Sequence, residues 1–319
     1  MKNGKHILVT GGAGFIGAHL VERLLKDGKT VVVIDDLSTG SRDNLRAVAQ
    51  HRNFRFIQTK ISAYTELPEL AADAEFIFHL AATVGVELVV KSALHVLEAS
   101  FNETQILLRA AVKNSTPILF TSTSEVYGKS AKPEFSEDDD LLIGPPTHSR
   151  WSYASAKLTD EFLALAYARE KKLPVTIARL FNTVGPRQTG RYGMVLPRFI
   201  SAAKNGEPLK VYGDGAQSRC FCLVHDVVEA LVRLQKCDTA RGEIFNIGGT
   251  EEISILELAK LVVEALGSKS TIDLIPYDQA YAPGFDDMRR RKPRVEKLER
   301  CVNFKPQTTL REIIKLTAA

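Results

Sequence analysis

The sequence predicts an α/β fold, a doubly wound parallel sheet with a smaller mixed α/β lobe, and three observations carry that expectation. An apolar run, Lys5-His-Ile-Leu-Val-Thr10, leads into a glycine cluster and then a helical pattern. Strand-sized apolar runs go on alternating with helix-sized stretches as far as Leu180, the signature of parallel strands joined by helical crossovers. Beyond Leu180, Gly and Pro punctuation breaks the rhythm and shorter mixed elements follow.

The first unit is the most specific. Residues 5–10 read as a strand, Gly11-Gly-Ala-Gly-Phe-Ile-Gly17 as a turn and Ala18 to Lys26 as a helix. Gly11 permits the tight turn, and Gly14 lets the backbone, with Phe15 and Ile16 beside it, approach a pyrophosphate at the helix N-terminus. Gly17 allows close helix-to-strand packing. The second strand, Thr30-Val-Val-Val-Ile-Asp35, ends in a carboxylate about twenty residues after the turn, where such folds hold the adenosine ribose. A carboxylate there repels a 2'-phosphate, so the expected cofactor is NAD rather than NADP. A glycine-rich turn without a ligand is the plainer alternative, but a strand before it, a helix after it and Asp35 beyond make the Rossmann-type reading the stronger.

Further strands are expected at Phe54 to Gln58, Glu75 to His79, Pro117 to Thr121 and Val175 to Arg179, with helices at Ala93 to Val112 and Ser152 to Lys171. Later come helices at Met194 to Lys204, Val224 to Gln235 and Ile255 to Leu266, and a short strand at Leu209 to Tyr212. This divides the chain into an NAD-binding domain, residues 1–180 with 224–247 returning to it, and a substrate-binding lobe, residues 181–319. The lobe is expected to close a cleft over the carboxyl ends of the sheet strands.

A chain of 319 residues, 45% hydrophobic and 25% charged, can bury a large core. Its longest apolar runs are strand-sized and its first element reads as a strand rather than a signal peptide, so the expectation is a soluble, cytoplasmic protein without a membrane partner. Cys220, Cys222, Cys237 and Cys301 lack zinc-like pairing and are expected to be reduced, mostly packed thiols; no metal is expected. Cys220-Phe-Cys222 reads better as alternating strand residues than as a metal hook. With a net charge of only +4, nucleic acid is not an expected partner. The basic run Arg289-Arg-Arg-Lys-Pro-Arg294 is the one place where the question arises, with a solvated loop or an anion site as alternatives.

The chemistry centres on Tyr153 and Lys157, spaced Tyr-x-x-x-Lys downstream of Thr121-Ser-Thr-Ser-Glu-Val-Tyr-Gly128. Residues four apart share a helix face, so a Lys157 ammonium beneath the Tyr153 phenol would favour the phenolate. Lowering a tyrosine pKa from about 10 by about 3 units takes roughly 4 kcal/mol of differential electrostatics, which a lysine together with a cationic nicotinamide ring could supply. The spacing alone also fits a surface lysine beside a half-buried tyrosine.

Taken together, Thr10-Gly-Gly-Ala-Gly-Phe-Ile-Gly17, His79-Leu-Ala-Ala82, Ser122 to Gly128, Tyr153-x-x-x-Lys157, Arg179-Leu-Phe-Asn-Thr-Val-Gly-Pro-Arg187 and Val211 to Arg219 resemble the extended short-chain dehydrogenase/reductases of the nucleotide-sugar epimerase, dehydratase and decarboxylase group, over nearly the whole chain. The resemblance implies that Ala81 lies against the cofactor, that Thr123 and Ser124 face the sugar, that Asn182 holds the nucleotide-sugar phosphates and that Arg219 pairs with the diphosphate. Three of these have a structural alternative: Thr123 capping a strand end, Asn182 bracing a turn, Arg219 a surface charge beside Asp214. Lys60-Ile-Ser62 departs from the group's usual acidic residue for the adenine.

Dehydratases of the group carry Asp-Glu after the threonine. This chain has Ser124, which cannot act as that acid. Epimerases leave the next position small, whereas Glu125 fills it, and Thr-Ser-Glu resembles the decarboxylases acting on UDP-glucuronate. Tyr281 to Pro293, Phe135-Ser-Glu-Asp, Ile143-Gly-Pro and Arg150-Trp-Ser-Tyr153 are similar to those enzymes as well. That likeness implies that Arg291 binds the substrate acid and protonates carbon 5, with Glu125 beside it. The alternative for Glu125 is a structural acid paired with Arg150 or Arg291. The best reading is a UDP-glucuronate decarboxylase. A UDP-sugar 4-epimerase is its rival, and a non-catalytic NAD-binding sensor, which would need neither Tyr153 nor Lys157, belongs to a different class. The resemblance also implies a homodimer built on two helices, with apolar faces at Leu94, Leu97, Ile106 to Leu108 and Phe162 to Leu165.

Overall fold

The computed structural model describes residues 5–82, 92–190, 194–276 and 288–319. The chain alternates β1 (His6–Thr10), α1 (Phe15–Lys26), β2 (Val31–Asp35), β3 (Phe54–Gln58), α2 (Leu67–Ala72) and β4 (Ala74–His79). It continues through α3 (Ala93–Val112), β5 (Ile118–Thr123), α4 (Trp151–Lys171) and β6 (Val175–Leu180). Shorter pieces follow: β7 (Thr183–Val184), α5 (Val195–Asn205), β8 (Leu209–Tyr212), β9 (Ser218–Cys220) and β10 (Cys222–Leu223). After α6 (Val224–Gln235) and β11 (Ile244–Ile247) come β12 (Glu252–Ser254), α7 (Ile255–Ala265), β13 (Ile272–Ile275), α8 (Glu296–Val302) and α9 (Leu310–Ala318).

Seven strands form one parallel sheet in the order β11-β6-β5-β4-β1-β2-β3. A parallel strand covered on both faces must be apolar throughout, and β1 and β2 are buried at every position. Their alternating side chains feed two cores. Ile7, Val9, Val31 and Val33 pack with α1 and α6, whereas Leu8, Val32 and Ile34 pack with Leu107 and Leu108 of α3 and Ala164 of α4. The strand order reverses between β1 and β4, which opens a crevice at their carboxyl ends.

A separate core, including Leu196, Phe199, Leu209, Val211, Leu258, Val262 and Ile313, holds the smaller lobe together around α5, β8, α7 and α9. Among the described residues its strands pair only in twos: β8 with β13, β9 with β12, and β7 with β10. Among the described residues no helix is long and apolar enough to cross a membrane.

Most elements fall where the sequence places them, with instructive differences. Helix α1 starts at Phe15 rather than Ala18, so its first turn includes Phe15, Ile16 and Gly17. Strand β5 runs two residues past Thr121, making Thr123 its last residue. Leu107 and Leu108, expected on an outward apolar face, belong to the sheet core instead. The large apolar residues that do face outward on these two helices are Leu94, Leu97 and Phe101 of α3 and Phe162 of α4. Of the segment Tyr281 to Pro293, residues 281–287 lie outside the described residues.

Candidate active site

The carboxyl edge of the sheet gathers residues that are far apart in sequence. Gly11 follows β1, Asp35 ends β2, Ala81 lies two residues beyond β4, Thr123 ends β5 and Asn182 lies two beyond β6. At the crevice, Thr10 Oγ1 meets His79 Nδ1 at 2.7 Å, and His79 Nε2 meets Thr104 Oγ1 at 3.2 Å. Burial, with Lys157 nearby, pushes the His79 imidazole down to about 3, so it stays neutral and ties β1 to β4 and α3.

The glycine turn is built for close approach. Gly11 has φ +74°, and a side chain there would come within 2.5 Å of the Ala81 backbone nitrogen. A Cβ on Gly17 would lie 2.2 Å from the Gly11 carbonyl, so α1 can begin only this near the strand if Gly17 is bare. Gly14 caps α1 without any side-chain cap bond, which leaves the amides of the first turn to a ligand. Orphan amides and the positive end of a helix fit a pyrophosphate. Asp35 accepts the Ala13 amide at 2.9 Å and the Leu37 amide at 2.8 Å. It therefore braces the turn as well as standing where a ribose would be met. Burial raises its pKa against those two amides. Near the expected adenine position, Ile61 is buried in the sheet core and the Ser62 amide donates to Glu103 at 2.9 Å.

Tyr153 and Lys157 sit near the start of α4. The expected lowering of the Tyr153 phenol, by Lys157 together with a cationic nicotinamide, is not produced by the chain's own residues. Burial and the Glu125 carboxylate push the Tyr153 pKa up, with a hydrogen bond to Thr123 opposing them. Lys157 feels other charges. Burial lowers it to about 8 against the pull of Asp160 and Glu161, and its Nζ lies 3.9 Å from the centre of the Phe120 ring. Those two acids stand three and four residues after Lys157 on the same helix face, a spacing legible in the sequence that the expectations for this pair left out. Asp160 takes a bond from Ser100 at 2.6 Å. Glu161 grips Arg179 of β6 in a fork, Nη2 to Oε2 at 2.8 Å and Nε to Oε1 at 3.0 Å, and also bonds Ser122. Arg179 reaches the Tyr127 hydroxyl at 3.0 Å, and Tyr127 reaches Asn246 of β11 at 2.7 Å.

The charges beside Tyr153 come from three places. Glu125 lies in a single turn of 3₁₀ helix, Ser124–Tyr127, capped by Thr123 Oγ1, which accepts from Glu125 N at 3.2 Å. Thr123 thus both caps this turn and bonds Tyr153, while Ser124 is buried. Arg150, the residue before α4, meets Glu125 Oε2 at 3.3 Å, and Arg291 meets Glu125 Oε1 at 2.7 Å. Burial would raise the Glu125 carboxyl, but Arg291, Arg150 and Arg219 together hold it below the ordinary glutamate value. Because the folded value is the depressed one, this stabilisation is present at neutral pH and is lost as pH falls through it.

Arg291 is aimed inward by strand-like alternation. Phe135 N donates to Lys292 O and Arg294 N to Phe135 O, both at 2.8 Å, which fixes the run against the residues after the Glu125 turn. Arg290 then pairs outward with Glu252 and Lys292 with Glu134, while Arg291 is buried. The basic run is therefore neither a free loop nor one continuous positive face. The Arg291 Nε has no hydrogen-bond partner among the described residues. Arg219 is also buried, donating to the Ser218 and Met288 carbonyls at 2.7 and 2.8 Å rather than standing on the surface beside Asp214. Asn182, at φ +27°, donates to the Cys220 carbonyl at 2.8 Å and so braces the exit of β6. No cluster of three or more metal-ligating side chains occurs among the described residues.

Residues 7–248 match the family described as NAD dependent epimerase/dehydratase. The chain belongs to that family. Its cofactor is NAD, and the uncapped first turn of α1, the bare glycine turn and Asp35 fit that group. This epimerase/dehydratase-family chain is 42% identical, over 98% of its own length and 96% of the relative's, to a UDP-N-acetyl-alpha-D-glucosaminuronate decarboxylase of Bacillus cytotoxicus. It is 33% identical to UDP-glucuronic acid decarboxylase 2 of Arabidopsis thaliana, over 99% of this chain and 68% of that one. It is also similar to the solved UDP-glucuronic acid 4-epimerase of Bacillus cereus in complex with UDP-glucuronic acid and NAD, with 30% identity, a TM-score of 0.87 and 98% of each chain covered.

The family's cofactor makes Asp35 testable. Wild-type protein is expected to bind NAD far more tightly than NADP by calorimetry. Asp35→Asn should narrow that gap by about tenfold, roughly 1.4 kcal/mol of charge repulsion removed. It should also weaken NAD itself, because Ala13 and Leu37 each lose a charged acceptor. Equal affinity of the wild type for the two cofactors would contradict the role.

Proposed function

We propose that this chain is a UDP-uronate decarboxylase, a lyase that oxidises carbon 4 of a UDP-linked hexuronate and releases the carboxyl group as carbon dioxide. The observation that carries the reading is the contact of Arg291 with Glu125, whose carboxylate acts on Tyr153, with a buried Arg291 Nε left for a ligand. Buried donors are matched by partners in nearly every protein. A carboxylate is the partner an arginine edge fits best. The names of the relatives agree, since both the Bacillus cytotoxicus and the Arabidopsis protein are decarboxylases of UDP-linked uronates.

NAD, when bound, would supply the hydride acceptor for carbon 4. Tyr153 takes the proton of the carbon-4 hydroxyl at its phenolic oxygen, and Thr123, already bonded to Tyr153, orients that hydroxyl. Lys157 holds the nicotinamide ribose and adds positive charge beneath the site. Glu125 faces three arginines, so the pocket keeps a surplus of positive charge for an anionic sugar. A substrate carboxylate competing for Arg291 would stand close to Glu125, a repulsion relieved when carbon dioxide leaves. Arg291 then serves the carbon-5 centre that needs a proton. Ser124 lines the sugar side, and Asn182 and Arg219 flank the diphosphate. Residues 1–180 with 224–247 would hold NAD and the remainder of 181–319 the nucleotide sugar.

The reading is tested with a panel of UDP-sugars and NAD, monitored by NMR. UDP-glucuronate or its 2-acetamido counterpart should give a five-carbon sugar, and UDP-glucose should turn over little. Equilibration of UDP-glucose with UDP-galactose and no five-carbon product would leave Glu125 a structural acid and favour the epimerase reading.

The enzyme is proposed to work as a cytoplasmic homodimer. Leu94 and Phe162 are 68% and 63% exposed, and Leu97 and Phe101 are exposed as well, so the packed α3–α4 pair presents large apolar side chains to solvent, as an interface would. Light scattering at micromolar concentration should give twice the chain mass, and Phe162→Glu should give the monomer. A monomeric wild type would refute it.

A further inference from the structure

Two of the four cysteines meet, and nothing in the proposed reaction uses them. Cys237 follows α6 and Cys301 lies in α8, yet their sulfurs are 3.1 Å apart, about 1 Å longer than a disulfide bond. Both are half-buried, whereas Cys220 and Cys222 are fully buried with their thiols pushed up by burial. The pair is therefore reachable from solvent, and the other two thiols are not.

The surroundings distinguish the two sulfurs. Cys237 precedes the 3₁₀ turn Asp238–Ala240, where the amides of Thr239 and Ala240 face its sulfur and the Thr239 hydroxyl is 3.1 Å away. These donors, with Cys301, outweigh burial and lower the Cys237 thiol, while burial and Cys237 push Cys301 up to about 11. A nucleophile and a resolving thiol are thus already in contact.

We propose that Cys237 and Cys301 form a disulfide-exchange site for low-molecular-weight disulfides such as oxidised glutathione, and that it closes to an intramolecular bond. The Cys237 thiolate attacks one glutathione sulfur, forming a mixed disulfide and releasing one glutathione thiolate. Cys301 then loses its proton and attacks Cys237 Sγ, forming the Cys237–Cys301 bond and releasing the second glutathione. Two protein thiols are oxidised, and one small disulfide is reduced to two thiols. The bond would fasten α8, which comes directly after the Arg291 segment, to the end of α6 under the central sheet. It would close a loop of more than sixty residues, long enough for a large effect on the unfolded chain.

The test treats the full chain, with NAD present, with oxidised glutathione and maps the peptides by mass spectrometry. The expected result is a Cys237–Cys301 peptide lacking two hydrogens, no glutathione retained, and alkylation of Cys220 and Cys222 only after denaturation. Tm should rise by roughly 5 °C or more, and fall back with a dithiol reductant. Cys301→Ser should instead accumulate glutathione on Cys237 with no rise in Tm. Glutathione persisting on the wild type without the linked peptide, or both thiols unchanged at every ratio of oxidised to reduced glutathione, would overturn the proposal.

Discussion

Replacing Tyr153 with phenylalanine is expected to lower turnover at least about a hundredfold, the usual cost of removing a positioned proton-transfer group. NAD and UDP binding should be retained. The chain's own residues set the phenol pKa high, through burial and Glu125, so at neutral pH the group is a phenol with Thr123 on its oxygen. A hydroxyl is thus placed to pass a proton along the Tyr153 and Thr123 pair only when positive charge enters beside it. Tyr153→Phe removes the oxygen and keeps the ring, so stopped-flow absorbance should show no NADH on mixing with substrate. A variant that still forms NADH at the wild-type rate would mean that Tyr153 is not the base.

Arg291→Ala should separate oxidation of carbon 4 from the later loss of carbon dioxide and protonation of carbon 5. NADH should still form, because Tyr153, Lys157 and Thr123 are intact, but the five-carbon product should appear about a hundredfold more slowly. The accumulated NADH is the distinguishing sign. Glu125 keeps Arg150 in this variant, so the fold should hold at a cost of up to roughly 3 kcal/mol, the low end for breaking a buried pair. Glu125→Gln should keep that geometry with a neutral group and also slow the second stage. If Arg291→Ala reduced NADH formation and product equally, Arg291 would be a binding residue for the whole sugar rather than one serving carbon 5.

The sheet was legible because its strands are buried on both faces and read as continuous apolar runs, and because Gly11, Gly17 and Asp35 impose backbone and charge requirements that few other patterns meet. Strands β7 and β12 were not, since two or three residues carry no period and their pairing is set by distant partners, and Cys220-Phe-Cys222, which reads as one strand, is divided at Phe221 between β9 and β10. Helix α9 did leave a trace, a capping box of Thr309 with Glu312, which went unread. In the site, spacing showed that Tyr153 and Lys157 share a face but not which way the phenol would shift. That depends on burial and on Glu125, which arrives from another element. The same holds for Arg291. Its neighbours in sequence are equally basic, and only the pairing of Phe135 with Lys292 and Arg294 decides that it, and not Arg290, turns inward.

The fate of the sugar's carboxyl carbon separates decarboxylation from epimerisation in one experiment. UDP-glucuronate, and separately its 2-acetamido counterpart, is labelled with carbon-13 at that carbon and observed by NMR with NAD and the wild-type enzyme. With whichever sugar is turned over, the decarboxylase reading predicts that the label leaves the nucleotide sugar and appears as carbon dioxide and bicarbonate, one for each five-carbon sugar formed. Label retained in a six-carbon product of inverted configuration at carbon 4, with none in bicarbonate, would contradict it.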